Sequence, residues 1–368
     1  MVPPIPSGPR LDRLTSLRFF AAILVLGSHS TRDLAPIPHI SELFDTGTAG
    51  VTFFFALSGF VLTWSHRPDD TPLAFYRRRF ARIYPIHAVT WLLAFPVLYL
   101  AGVKITQTIA VTNLFLVQAW VPKPYIYFGM NAPSWSLSAE MFFYLLFPLL
   151  VPLLARAPRP VLWGTLVVLE IGSLIVTSRV SASLGLSDAN RFLFYVLPAW
   201  GLIAFVSGAI AARLMKSGIR IDVPVWAAVL LAGCGYLLAH FDSHRLGGIG
   251  HGIENAVLLP FILILIGSAA TADLRLQPGF LTRPWALRLG EWSFALYMTH
   301  WLLLTAVVAV LPDLSTFPLV VRFLAQVVYV VAAIAVAALA YVAVERPLER
   351  RLRGARPRPA MDTSAIAS

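Results

Sequence analysis

The chain has 368 residues, of which 58% are hydrophobic and 13% charged, and its mean hydropathy is +0.75. Soluble globular chains run at about 45–50% apolar and about 25% charged residues, so a water-soluble protein is excluded; the chain is expected to be an all-α, polytopic integral membrane protein. A formal charge of +11, from 29 Lys and Arg against 18 Asp and Glu, would point to nucleic acid in a soluble protein but here is first a topology signal. The single cysteine, Cys234, excludes an intrachain disulfide and a cysteine-built metal cage.

A membrane-spanning helix needs about 20 mainly apolar residues. In chain order such runs fall at about 19–34, 47–65, 84–102, 134–155, 160–178, 192–212, 223–241, 253–271, 291–311 and 317–343. An eleventh run, 105–121, is short and broken by Thr106, Gln107, Thr108, Asn113 and Gln118. Cytoplasmic loops collect Lys and Arg, and ten spans with an inner N-terminus put most of the basic residues on one side. If 105–121 crossed, every later loop would change sides and the basic tail would lie outside. The segment 103–133 is therefore expected to be an outer one, re-entrant or interfacial, with both termini cytoplasmic. Residues 1–10 and the basic tail 351–368 are expected to be disordered, flanking one transmembrane domain over 11–350. There is no solenoid repeat and no glycine-rich phosphate loop.

Ionisable groups inside a bilayer are costly and so mark function. Those within the expected spans are His29, Asp33, His87, Glu140, Glu170, Glu254, His300 and Arg322, with Arg18 and Glu291 at helix ends. Eleven helical steps of about 100° return His29 to the face of Arg18, about 16 Å farther along the axis. Glu140, about 9 Å into its helix from the outer end, is expected at the depth of His29. An imidazole beside a carboxylate is how a general base is built. Downstream of a second-span stretch rich in small residues (Gly50, Ala56, Ser58, Gly59), Arg77, Arg78, Arg79 and Arg82 crowd the start of the third span. Guanidinium groups at this density suit phosphate; Arg77 and Arg78 read as topology charges, whereas Arg79 and Arg82, one turn apart, can serve one ligand. His300, in mid-span, reads as a buried, hydrogen-bonded histidine rather than a second base.

These motifs together resemble the acyltransferase-3 family of integral-membrane O-acyltransferases. The resemblance is carried by Leu11 through Arg18 with His29 (Arg-X10-His), by Gly50 through Phe60, and by Arg79-X-X-Arg82 followed by Ile83-Tyr84-Pro85. Ser134 through Glu140, Ser293 through His300, and Glu345-Arg346-Pro347 complete it. It implies transfer of an acyl group, commonly acetyl from acetyl-CoA, to a hydroxyl of a sugar-bearing acceptor at a bacterial plasma membrane, without metal or nucleic acid. An exported polysaccharide or glycolipid is the favoured acceptor and a glycosylated metabolite the other. By the same resemblance His29 is the catalytic histidine, either as general base or as a covalent carrier of the acyl group, with Arg18 and Glu140 beside it. Arg79, Arg82 and Ser58 face the CoA donor, and Trp135, Tyr297 and His300 face the acceptor. The family often has Gly where this chain has Arg13 and Ser16, and a more polar residue at Met141, departures expected to tune acceptor choice. The competing class is a transporter of a small anionic or sugar-like solute, since intramembrane charges mark transport pathways too.

Overall fold

The computed structural model describes residues 10–67, 70–184, 187–245 and 251–353, and every regular element among them is helical. Helices α1 (Asp12–Asp33), α2 (Ala49–Ser65), α3 (Pro72–Leu100), α4 (Trp135–Arg156) and α5 (Arg159–Leu184) follow the expected apolar runs. So do α6 (Pro198–Lys216), α7 (Val225–Arg245), α8 (His251–Leu274), α9 (Pro284–Val310) and α10 (Leu319–Ala340); a short α11 (Arg346–Arg353) follows α10 through a π-helical turn, Tyr341–Glu345. Eight stretches, containing α2 to α6 and α8 to α10, are long and apolar enough to cross a membrane. The two further expected spans are helices as well. α1 dilutes its apolar run with Arg18 and His29, and the apolar part of α7 is the shorter Val225–Phe241. Residues 1–9 and 354–368, expected to be disordered, lie outside the described residues, but 351–353 of the basic tail continue α11 as helix.

Helix α2 is the hub: 78% of its apolar window is buried, against 17% for α5 and for the α10 stretch at the periphery. Small residues make this possible. A Cβ built on Gly59 would stand 1.8 Å from the carbonyl oxygen of Phe205 in α6, and one on Gly208 would stand 1.9 Å from that of Ala56. The two backbones touch where any side chain would hold them apart, as small residues allow between membrane helices. Gly290 does the same for α9 against α1, its Cβ position being 2.1 Å from the carbonyl oxygen of Thr15.

The ambiguous run 105–121 is not one continuous helix. It forms a short helix, Gln107–Leu114, and a single 3-10 turn, Gln118–Trp120, before the chain re-enters as α4. The polar residues that broke its hydropathy are what hold it. Asn113 and Gln118 are fully buried. Asn113 donates to the Gly129 carbonyl (3.0 Å) and to Ser134 Oγ (2.8 Å), and Gln118 donates to the Ser134 carbonyl (3.0 Å). His87 of α3 meets the Asn113 carbonyl at 3.0 Å, and Trp91 donates to that of Ala110 at the same distance. Backbone groups removed from water must find partners, and these side chains supply them. As a result the first turn of α4 is sunk beneath the segment, with Ala132 through Ala139 all buried.

Arg13 and Ser16, two of the departures from the family pattern, line neither of the clefts described next. Arg13 is 4% exposed; its backbone N–H and its guanidinium both reach the Asp273 carboxylate, at 2.9 and 2.5 Å, while Ser16 donates to the Leu281 carbonyl at 2.6 Å. Both fasten the start of α1 to the end of α8 and the loop beyond it. The third, Met141, packs partly buried against the main core.

Candidate active site

Two of the clefts between the described central helices hold most of the expected site residues. The first spans about 830 Å³ of empty space, its open mouth included, and is lined by Arg18 of α1, Ser58 of α2, Arg79 and Arg82 of α3, Glu140 and Tyr144 of α4, and Phe294 and Tyr297 of α9. Each helix brings its polar group to one place because α1, α2, α3, α4 and α9 converge there. Glu140 accepts from Tyr144 at 3.0 Å, one turn on along α4, and lies within electrostatic reach of Arg18, Arg79 and Arg82. The arginines differ in how far they are committed. Arg82 contacts Glu345 at 2.5 Å and Glu349 at 3.0 Å and lies over the Phe294 ring. The π-helical turn ends two residues before Pro347, which offers no N–H to a regular helix, and it brings the buried Glu345 to Arg82. Among the described residues Arg18 and Arg79 form no ion pair. Arg79 rests against Phe75 and Tyr144, and its buried Nε has no hydrogen-bond partner. A buried donor left unsatisfied is costly, and Arg79 carries one at the wall of this cleft. Arg77 and Arg78 stay outside it, bound to the Leu352 carbonyl (2.9 Å) and to Asp70 (2.8 Å).

The second cleft spans about 1120 Å³, its open mouth included, and is lined by His29, Arg32, Asp45, Thr48, Trp135, Arg191, Tyr195, Tyr297 and Trp301, with Phe128, Ala132 and Pro133 from the outer segment. His29 Nδ1 lies 3.0 Å from Nε2 of His300, their rings nearly parallel at 8°, and Trp301 meets His29 edge-on at 4.9 Å. Tyr297 lines both clefts. Its hydroxyl is hydrogen-bonded to Ser136 Oγ at 2.8 Å and donates to the Pro133 carbonyl at 3.2 Å, and its ring lies against Phe54. Tyr297 is thus the partition, and Val51 is the other residue shared by the two linings.

Of the expected site, Arg18, Ser58, Arg79, Arg82 and Glu140 are brought together, and Trp135 and Tyr297 join His29. The expected pairing of His29 with Glu140 does not form. Because α4 begins beneath the outer segment, Glu140 comes to the cleft of Arg18 rather than to that of His29, three turns farther along α1. His300, expected to face the acceptor, lines neither cleft; it is fully buried behind His29, as the reading of it as a hydrogen-bonded histidine has it. Of the other ionisable groups of the spans, Glu170 keeps both carboxylate oxygens buried without a hydrogen-bond partner among the described residues, whereas Arg322 and Glu254 have local ones. Arg322 donates to the carbonyls of Phe317 (2.8 Å) and Pro36 (3.1 Å), and Glu254 accepts from Thr48 at 3.4 Å.

Comparison with known proteins names the chemistry. The acyltransferase domain family matches residues 11–342. The chain belongs to that family. The acyltransferase is 34% identical over 320 residues to acyltransferase MdmB of Streptomyces mycarofaciens, covering 81% of this chain and 80% of that one. It is 26% identical to the exopolysaccharide production protein ExoZ of Rhizobium meliloti, covering 85% and 93%, and 24% identical to O-acetyltransferase OatA of Staphylococcus aureus, covering 79% of this chain and half of the relative. No solved structure gives a significant match. Family membership leaves the transporter reading without support and makes the protein a membrane-embedded enzyme.

Several site residues of the acyltransferase escaped sequence reasoning. Tyr144 had a usable signal, its i+4 spacing from Glu140. Glu345 was visible as part of a motif but without a role, and Trp301, one residue past the Ser293–His300 motif, was not singled out. Arg32, Asp45, Arg191 and Tyr195 belong to no motif; Arg32 sits in the last turn of α1, Asp45 in a turn, and Arg191 and Tyr195 in the short helical segments Asp188–Arg191 and Phe192–Val196.

Proposed function

We propose that the enzyme transfers an acyl group, acetyl in the simplest case, from acyl-CoA to a hydroxyl of a carbohydrate acceptor, an exported polysaccharide or a glycolipid, at a bacterial plasma membrane with both termini in the cytoplasm. The observation that carries the donor assignment is the pair of uncommitted guanidinium groups, Arg18 and Arg79, in a cleft that adjoins the His29 cleft at Tyr297. CoA carries several phosphates at one end and a slim pantetheine arm at the other. Phosphates held by Arg79 and Arg18 would leave the arm to pass Ser58 and Tyr297 and present its thioester to His29. The imidazole then takes the proton of the acceptor hydroxyl as that oxygen attacks the thioester carbonyl. The carbon–sulfur bond breaks, and the proton passes from the imidazole to the departing thiolate.

The wide, mixed lining of the His29 cleft supports a sugar acceptor. Trp135, Tyr195 and Trp301 offer aromatic faces, and Arg32, Asp45 and Arg191 offer groups that hydrogen-bond hydroxyls. Two of the relatives bear names of exopolysaccharide production and O-acetyl transfer, which supports the same class. The test is purified enzyme with radiolabelled acetyl-CoA and, in parallel, mass spectrometry of surface glycans and glycosylated metabolites from cells with and without the gene. The expected result is label transfer to a glycan and loss of an acetyl mass. Label on a glycosylated metabolite alone would overturn the polysaccharide assignment, and no consumption of acetyl-CoA would overturn the donor.

A further inference from the structure

We propose that His300 is a positioning residue that fixes the tautomer of His29, so that Nε2 of His29 carries the lone pair offered to the acceptor hydroxyl. The inference rests on His29 being the base and goes beyond it, because it assigns the reacting nitrogen and the group that selects it.

The chain of reasoning starts at the far end. His300 Nδ1 lies 3.1 Å from the backbone carbonyl oxygen of Leu296, one turn back along α9. A carbonyl oxygen only accepts, so Nδ1 of His300 carries a hydrogen. The ring is fully buried, and none of its hydrogen bonds runs to a carboxylate. A positive charge there would be buried and unpaired, which is costly, so the ring is neutral and its Nε2 holds a lone pair. The 3.0 Å contact between the two rings then needs its hydrogen from His29 Nδ1. That leaves Nε2 of His29 without a proton. Trp301 edge-on at 4.9 Å keeps the His29 ring in its plane, and Tyr329 of α10 anchors His300 by donating to its carbonyl at 2.9 Å.

A neutral imidazole partner differs from a carboxylate in consequence. When His29 Nε2 takes the hydroxyl proton, Nδ1–H stays bonded to a neutral acceptor, so the imidazolium is oriented without being held as an ion pair. The proton is then readily released to the thiolate once the carbon–sulfur bond breaks.

The kinetic test compares His300→Phe with His300→Gln, because the Gln carbonyl oxygen can accept from His29 Nδ1 near where Nε2 stood. Loss of tautomer control in a base of this kind costs on the order of 10²–10⁴ in rate. His300→Phe should therefore lower kcat at least about a hundredfold while leaving the KM for acetyl-CoA within about twofold, and His300→Gln should recover at least about tenfold of the loss. The spectroscopic test uses wild-type enzyme labelled with 15N-histidine, with His29 assigned by difference from His29→Gln. It should show Nδ1 protonated and Nε2 bare in both rings, and it decides the matter even where the variants do not fold. Wild-type kcat in His300→Phe, no recovery by His300→Gln when both variants bind acetyl-CoA normally, or a proton on Nε2 of His29 would each overturn the proposal. Undiminished turnover by His29→Gln would instead remove the base, leaving the measured tautomer standing.

Discussion

The two clefts are built on opposite principles. The cleft of Arg18 gathers three guanidinium groups and sets carboxylates against them unevenly: Arg82 is held by Glu345 and Glu349, while Arg18 and Arg79 remain uncommitted. The cleft of His29 is larger, carries scattered charge, and centres on an imidazole whose partner is another imidazole. On the function proposed above, one holds a strongly charged group and the other moves a proton, with Tyr297 and Val51 shared between them. Binding energy gathered at a remote, unreactive part of a substrate lowers a barrier only if it fixes the reacting part. Separate clefts with one shared wall give that coupling a physical route.

The comparison can be broken at either end. His29→Ala should lower kcat by roughly 10³-fold, within the range for loss of a general base, while the affinity for acyl-CoA, measured by calorimetry or filter binding, stays at the wild-type value. Weakened donor binding in that variant would merge the two clefts into one function. Arg82→Ala leaves the buried Glu345 uncompensated and should cost about 3–5 kcal/mol of stability, read as a lower thermal midpoint in detergent; adding Glu345→Gln should restore part of it. Arg79→Ala should leave the fold intact and raise the KM for acyl-CoA about 10- to 100-fold, the equivalent of one or two lost charge-assisted hydrogen bonds. Equal stability loss in the two arginine variants would show that their different commitments do not matter. The smallest effect belongs to the partition: Tyr297→Phe loses the contacts to Ser136 and the Pro133 carbonyl, worth about 1 kcal/mol, and should slow turnover a few-fold without changing the affinity for the donor.

Much of this arrangement was legible in the residues. Apolar runs located the helices, and the motifs singled out Arg18, Arg79, Arg82 and Glu140, although they set Glu140 beside His29 rather than among the arginines where the structure has it. What stayed hidden has identifiable causes. Helical arithmetic gives the face of α1 on which His29 lies, but not that α9 covers that face, so His300 was not seen as its partner. The depth of Glu140 was misjudged because an apolar run shows where a helix begins along the chain, not that its first turn is buried beneath an outer segment. Asn113 and Gln118 read as flaws in a span, although they are the fully buried donors that tie that segment down. Hydropathy counts an amide as a cost and does not register the carbonyl it satisfies.

The contact between Arg82 and Glu345 joins residues 263 positions apart, and that separation has a consequence for biogenesis. The ribosome delivers the arginines of α3 early and the carboxylates that neutralise Arg82 almost last. Through most of synthesis the first cleft is an open wall of positive charge with no clasp. Its completion must wait for the turn after α10 to dock, so a chain ending before Glu345 would keep nearly every membrane helix and still lack the carboxylate that holds Arg82.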